Sequence, residues 1–400
     1  MARKVLLTLC CAVLLVHGIA AQETFRFQYQ VGDKYRILSQ VDQSVTIDGQ
    51  FLQQNHTLNR IAVEVTEVQD GAGLIQFDYQ HSNRATSRQG VYESGDVFHS
   101  EFWRDPRGTY RIDPKYLVPP TQNIPLFPER AVEEGGSWAA TGTEVYDLPA
   151  ILNVPGVLRV DVPVQYEYLG MREWKGSSYP TISIRYNVFY RPTGGNGNPM
   201  YPVLISGYSH QTMYWNPDIG QPKGYEEEYT FVFVVAGGST IVFEGTASSE
   251  LILSKRLDRS AVKDAIEKDL KDLGVKDAGV STDERGVTIT LDNIQFPPDS
   301  AVLIPSEQDK LRRIAEILKK YPDRDILITG HTALAGTAEG RQRLSEERAA
   351  SVGRFLLDQG VRDPDRLLYK GMGAREPVAD NSTEAGMRKN RRVEITIMEN

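Results

Sequence analysis

The sequence has 400 residues, a formal net charge of −8, 40% hydrophobic residues and 24% charged residues. This composition is typical of a folded chain of about two to four domains and argues against wholesale disorder and against a nucleic-acid partner. The two cysteines, Cys10 and Cys11, both lie in the first apolar run. Zinc ribbons, thiol catalysis and a disulfide framework are therefore excluded.

Residues 1–20 have the pattern of a secretory signal peptide. A positively charged start precedes a 12-residue apolar run at 5–16, and small residues at 18–20 provide a cleavage site before Ala21. That run is too short to span a bilayer, and no later stretch predicts a transmembrane helix. The alternatives are a lipoprotein cleaved before one of the cysteines and a buried N-terminal strand.

Residues 21–255 are predicted to be rich in β-strands. Aromatic residues concentrate there, whereas residues 261–400 contain four of them. Alternating apolar and polar residues predict strands, of which the clearest are at 35–47, 61–68, 157–169, 181–190, 229–235 and 240–244.

Turn signals divide this β-rich part. The pair Asp48-Gly49 predicts a hairpin, and the Pro-rich stretch at 119–128 is interpreted as a linker or a strap. We expect two β-rich domains, 21–150 and 151–255, each a sandwich or a roll. The alternative is that these strands insert into a membrane.

The last part of the chain, 256–400, changes to a helical period. Helices are predicted at 260–273, 306–320 and 338–358, and strands at 287–291, 325–329, 366–369 and 393–398. This order predicts an α/β domain with a mixed sheet and helices on one face.

Five stretches of this C-terminal part occur in a characteristic order and spacing. They are VTITLDNIQFPPDSAVLIP (287–305), ILITGHTALAGT (326–337), RLSEERAASVGRFLLDQGV (343–361), RLLYKGMGAREPVADN (366–381) and MRKNRRVEITI (387–397). Together they resemble the OmpA-like C-terminal domain, the peptidoglycan-associating module of Gram-negative envelopes. The resemblance covers residues 287–398 and implies the fold of that module. The β-rich part resembles no family that we identify.

The resemblance implies a binding site for the diamino acid of the peptidoglycan stem peptide. In the family, an Arg in a Leu-Ser-x-x-Arg-Ala helix binds the carboxylate of that diamino acid, and an Asp in a Gly-His-Thr-Asp turn binds its ammonium group. These residue types suit those ligand groups. The Arg position is Arg348 here, and Thr332, Asn390 and Arg391 are further candidate peptidoglycan-binding residues.

The family's Asp position is Ala333, and the spacing from Ala333 to Arg348 equals the family's. The difference is therefore a substitution and not a register error. A charge-assisted hydrogen bond contributes roughly 1.5–3 kcal/mol, so its loss predicts about 10- to 100-fold weaker binding. The nearest acid in the sequence is Glu339.

Each candidate also has a structural interpretation. Arg348 is alternatively an ion-pair partner of Glu346 or Asp299, and the cluster around Arg391 is alternatively solvated charge. His331 is expected to be a hydrogen-bonded turn histidine rather than a ligand.

Signatures of catalysis are missing from the sequence. It contains no nucleophile elbow, phosphate loop or metal-spaced His/Glu set. The run 226–228 (EEE) is interpreted as a charged, solvated turn before a strand. We therefore expect a non-enzymatic, exported protein without metal or cofactor, periplasmic or outer-membrane-associated in a diderm bacterium, that binds peptidoglycan or other envelope proteins. The alternative is a structural or interaction protein in which the β-rich domains carry the function.

Overall fold

The computed structural model describes residues 22–84, 90–195, 197–253, 257–292, 294, 296–297 and 300–399. The predicted signal peptide, residues 1–20, lies outside these ranges. The described residues form a β-rich region followed by a region of alternating helices and strands.

The β-rich region contains twelve strands and one short helix within the described residues. These are β1 (Lys34–Ile47), β2 (Gln50–Gln69), β3 (Ala72–Asn83), β4 (Tyr92–Arg104), β5 (Tyr110–Ile112), β6 (Thr121–Gln122), β7 (Ser137–Asp147), α1 (Leu148–Leu152), β8 (Val157–Trp174), β9 (Ser177–Tyr190), β10 (Pro202–Asn216), β11 (Gln221–Val235) and β12 (Thr240–Ile252).

The C-terminal region contains five strands and four helices within the described residues. These are α2 (Arg259–Asp272), β13 (Ala278–Asp283), β14 (Gly286–Asp292), α3 (Pro305–Leu318), β15 (Ile326–Gly330), α4 (Ala338–Asp358), β16 (Leu367–Gly371), α5 (Glu384–Asn390) and β17 (Arg392–Met398). The short strand β13 and the helix α5 were not predicted from the sequence.

Strand β1 joins two antiparallel runs of strands into one sheet. It pairs with β2 on one side and with β12 on the other. The order β4-β3-β2-β1-β12-β11-β10-β9-β8-β7 follows from the successive pairings. The division expected near residue 150 falls in α1, and the strands before and after it share this sheet.

Local sequence explains how the strands meet. Asp48 and Gly49 have φ angles of 51° and 76°, the left-handed values that a two-residue hairpin turn requires. In β8, Val160, Val162 and Val164 are buried while the residues between them are exposed. This period of two directs one face of the sheet inward.

The inner faces of the strands enclose one apolar core. Residues from both predicted β-rich domains contribute to it, together with aromatic side chains from outside the strands. Phe127 of the Pro-rich stretch stacks on Phe25, with ring centroids 5.6 Å apart, and meets Trp215 edge-on at 4.9 Å. The Pro-rich stretch is therefore a strap packed on the core and not a linker.

The interpretation of residues 226–228 as a solvated turn is wrong. All three lie inside β11, where Glu226 and Glu228 are exposed and Glu227 is partly buried. Tyr225, Glu227 and Tyr229 alternate along one face of β11, and all three line an interior cavity. The run of three acids therefore spans both faces of a strand, and one acid points inward.

The C-terminal region is the expected α/β arrangement. Its sheet has the order β13-β14-β17-β15-β16, with β15 and β16 parallel and the other pairs antiparallel. Residues of α2, α3 and α4 pack with the buried residues of one sheet face, such as Ile326 and Ile328. The sheet is mixed, with these helices on one face.

The opposite face of that sheet packs on the β-rich region. Leu327 and Leu368 form a small cluster with Leu58 and Tyr92, and β16 pairs in parallel with β4. The two regions are thus joined by apolar packing and by a shared strand pairing.

A buried charge network reinforces this junction. Asp325, at the start of β15, is 1% exposed and pairs with Arg36, Arg60 and Arg366. Burial alone would raise the pKa of Asp325, but the three arginines hold it below its ordinary value. One carboxylate from the C-terminal region therefore anchors two arginines from the β-rich region.

Candidate functional site

The turn that follows β15 contains Ala333, the position at which the family pattern has an Asp. The N–H of Thr332 donates to the carbonyl of Gly373 (2.8 Å), and the N–H of Leu334 donates to Oδ1 of Asn381 (3.0 Å). Two separate segments of the C-terminal region thus fix the backbone of this turn.

Ala333 lies in this turn and is buried, with 5% of its surface exposed. Its side chain is a methyl group, which neither accepts a hydrogen bond nor carries charge. Glu339 is exposed on the first turn of α4. Glu339 therefore does not substitute for the carboxylate that the family has at the buried position of Ala333.

Arg348 lies on α4, and its contacts tie it to the segment that follows β14. Its Nε donates to the carbonyl of Ser300 (3.1 Å), and its guanidinium lies 4.9 Å from the centroid of the Phe296 ring. This distance is that of a cation–π contact. Of the two ion-pair partners considered from the sequence, Asp299 lies outside the described residues. The hydrogen bond at Nε and the contact with the Phe296 ring together orient the guanidinium.

Asn390 is 1% exposed and acts as a structural clamp. Its Oδ1 accepts from the N–H groups of Val378 (2.8 Å) and Ala379 (3.0 Å). Its Nδ2 donates to the carbonyl of Ala379 (2.8 Å) and to Oδ1 of Asn381 (2.9 Å). These four bonds use the donors and acceptors of the amide, so Asn390 supports the site rather than facing a ligand.

Arg391 and Arg392 have different environments. Arg391 pairs with Glu384 at 2.8 Å on the surface. Arg392 is 3% exposed, pairs with Glu394 at 2.8 Å and donates to the carbonyl of Glu376. The sequence placed both arginines in one cluster and gave Arg391, rather than Arg392, as the candidate binding residue. The signal for Arg392 was the acid two residues later, which shares its strand face.

Asn381 is a second residue that sequence reasoning missed. Its Oδ1 accepts from both the N–H of Leu334 and Nδ2 of Asn390. It therefore connects the turn after β15 to the end of α5. Its place in the stretch 366–381 gave no indication of this role, because the connection depends on tertiary contacts.

Buried polar atoms without partners flank Ala333. Among the described residues, no hydrogen bond reaches Nδ1 or Nε2 of His331 or Oγ1 of Thr332. The N–H of His331 donates to the carbonyl of Arg392 (3.0 Å), so this turn histidine is hydrogen-bonded through its backbone and not through its ring. Nε2 of His331 lies 3.7 Å from Oε2 of Glu394. Burial would raise the pKa of Glu394, but His331 and Arg392 lower it to about 2.

In the family pattern, Arg348 is at the position of the cation that binds a carboxylate, and Ala333 is at the position of the acid. Among the described residues, no group of three or more His, Cys, Asp and Glu side chains is placed to hold a metal ion. Within the same ranges, no helix combines the length and apolar character needed to span a bilayer.

Comparison with known proteins identifies the class of this domain. The OmpA family model matches residues 295–391, and no family match covers the N-terminal part. The chain therefore has a C-terminal domain of the OmpA family.

Individual relatives match the same part of the chain. "Probable lipoprotein YiaD" of Escherichia coli is 39% identical over 126 residues, which is 31% of this chain and 57% of that protein. "Peptidoglycan-binding protein ArfA" of Mycobacterium bovis is 39% identical over 104 residues, 26% of this chain and 32% of that protein. The chain thus spans from about a third to just over half of the length of these relatives.

A solved structure also resembles this region. An outer membrane protein from Borrelia burgdorferi B31 is 38% identical and covers 30% of this chain and 96% of its own, with a TM-score of 0.26.

Proposed function

We propose that this protein is a non-enzymatic cell-envelope protein whose OmpA family domain associates with peptidoglycan. The observation that carries the proposal is Arg348, which occupies the family's carboxylate-binding position and is oriented by Ser300 and Phe296. A relative of this domain is named as a peptidoglycan-binding protein. The signal-peptide pattern supports export to the periplasm or the outer membrane of a diderm bacterium.

The proposed association is weakened by Ala333. A stem-peptide ammonium group placed at Ala333 would meet a buried methyl group instead of the family's carboxylate. An unpaired charge near buried groups is unfavourable. We therefore assign binding mainly to the carboxylate of the diamino acid, through Arg348. Thr332 adds a buried hydroxyl in the turn after β15, and within the described residues no hydrogen bond reaches it.

Co-sedimentation of the full chain with purified peptidoglycan sacculi tests this proposal. We expect the wild type to sediment with sacculi and Arg348→Ala to remain in the supernatant. Arg343→Ala is the matched control, because Arg343 lies on the same helix with 73% of its side chain exposed. Equal sedimentation of wild type and Arg348→Ala would contradict the assignment of Arg348.

The second candidate is a structural or interaction protein whose OmpA family domain no longer binds peptidoglycan. The absence of an acid at Ala333 favours it, as does the packing of this domain on the β-rich region. In that case neither the wild type nor Ala333→Asp would sediment with sacculi. The β-rich region would then carry the function.

A further inference from the structure

The β-rich region contains a cavity that the proposed peptidoglycan association does not use. It lies between the inner faces of the strands and has a volume of about 380 Å³. This volume is within the range of small-molecule binding sites. Prolines of the strap, Pro119, Pro120 and Pro125, form part of its lining.

The wall of this cavity is mainly apolar and aromatic. Four phenylalanines and six tyrosines line it, and the tyrosines are Tyr35, Tyr79, Tyr110, Tyr186, Tyr225 and Tyr229. Aromatic faces attract hydrocarbon and also attract cations through the ring quadrupole.

Two carboxylates interrupt the apolar wall. Glu144 is 6% exposed and accepts a hydrogen bond from the hydroxyl of Tyr186. Glu227 accepts from Oγ of Ser209 (2.6 Å) and from Nε2 of Gln211 (3.2 Å). In all three hydrogen bonds, the acceptor is the Oε1 atom of the glutamate. Within the described ranges, no hydrogen bond reaches Oε2 of either acid.

The two acids also have no cationic partner in the described part of the chain. None of its Lys, Arg or His side chains forms an ion pair with Glu144 or Glu227. Burial raises the pKa of both carboxyl groups, and the nearby charge of Glu227 adds to this effect at Glu144. Buried carboxylates are normally paired with a cation, so each of these two groups carries an unmatched negative charge when it loses its proton.

The arginine of the cavity wall is engaged elsewhere. The guanidinium of Arg104 lies 3.9 Å from the centroid of the Phe27 ring. It also donates to the hydroxyl of Tyr29 (2.6 Å) and to Oε1 of Gln221 (3.0 Å). Arg104 is thus held by aromatic and neutral groups, and it pairs with neither acid.

We propose that this cavity binds an apolar molecule that carries a positively charged amino or ammonium group. Glu227 and Glu144 receive the cation through their open Oε2 atoms, and the aromatic wall receives the hydrocarbon. A neutral hydrocarbon would leave both acids unmatched, and an anionic amphiphile would be repelled by them. This inference does not rest on peptidoglycan binding.

Isothermal titration of the full chain with three probes of equal chain length tests the proposal. The probes are octylammonium, 1-octanol and octanoate, which differ in the charge of the head group. We expect octylammonium to bind at least about tenfold more tightly than the other two, because a hydrogen bond to a charged group is worth about one to two powers of ten. This comparison uses the wild type and does not depend on any variant folding.

Substitutions then locate the cation. We expect Glu227→Gln to weaken octylammonium binding about 10- to 100-fold. Glu228→Gln is the matched control, because the adjacent residue is exposed on the opposite face of β11, and we expect it to leave binding unchanged. Failure of octylammonium to bind, equal binding of octylammonium and octanol, or unchanged binding in Glu227→Gln and Glu144→Gln alike would overturn the proposal.

Discussion

The candidate sites of the two regions differ in the charged side chain on which each proposal rests. In the OmpA family domain, the family's Arg is present as Arg348. The family's Asp is replaced by Ala333. In the β-rich region, Glu144 and Glu227 are acids that no cation pairs with in the described residues. A binding site whose charge is mainly of one sign selects ligands of the other sign. The comparison therefore predicts an anionic preference in the first region and a cationic preference in the second.

The largest expected effect is on the junction between the two regions. Asp325→Asn removes the carboxylate that holds three arginines, of which Arg36 and Arg60, from the β-rich region, are buried. Breaking a buried ion pair by removing one partner costs about 3–5 kcal/mol. We expect a loss of this size in the free energy of unfolding of the full chain, measured by chemical denaturation.

The control for this substitution is Asp272→Asn, whose partner Lys268 lies on an exposed helix surface. We expect little change, because exposed ion pairs contribute little. If both variants lose the same stability, the buried network does not join the regions.

A smaller effect concerns the acids of the cavity and depends on pH. The pKa of Glu144 is raised from 4.5 to about 7, so the folded protein keeps a proton that the unfolded chain releases. The resulting stability is present below pH 4.5 and is lost as the pH rises through 7. From pH 5 to 8, we expect the wild type to lose about 2–3 kcal/mol relative to Glu144→Gln.

Thermal and chemical unfolding of both proteins across this pH range measures that difference. Tyr186 and Glu227 face Glu144 in both proteins, so the comparison isolates the carboxyl group of Glu144. If the stability difference stays constant from pH 5 to 8, the folded protein does not keep the carboxyl group of Glu144 protonated in the apolar cavity.

The smallest expected effects are the stability losses of two neighbouring substitutions in the OmpA family domain, Asn390→Ala and Arg391→Ala. Asn390→Ala leaves the N–H groups of Val378 and Ala379 without their acceptor, which costs about 1–3 kcal/mol. Arg391→Ala removes a surface ion pair with Glu384, worth about 0–1 kcal/mol. Denaturation curves of the two variants test this order. The reverse order would mean that Arg391, and not Asn390, supports the site.

The C-terminal region was far more predictable from the sequence than the β-rich region. Most of its helices and strands follow local periodicity, and the resemblance to the family assigned positions to Arg348 and Ala333. The roles of Asn381 and Arg392 depend on loops that meet only in the folded domain. Local patterns could not place these contacts.

In the β-rich region, individual strands were predictable but their pairing was not. Strand β1 pairs with β12, about 200 residues away, and periodicity carries no information on such distant partners. Glu227 was assigned to a turn because it lies among acids. The alternation of Tyr225, Glu227 and Tyr229 indicated an inward-facing acid, and the charge of the run obscured it.

The most direct test of the central claim is a titration of the full chain with a stem peptide that contains the diamino acid. Wild type, Ala333→Asp and Ala333→Asn are compared, and the Asn variant controls for side-chain size in a buried turn. We predict that Ala333→Asp binds about 10- to 100-fold more tightly than both others. Equal affinity of all three folded proteins would contradict the claim that Ala333 is what weakens this site.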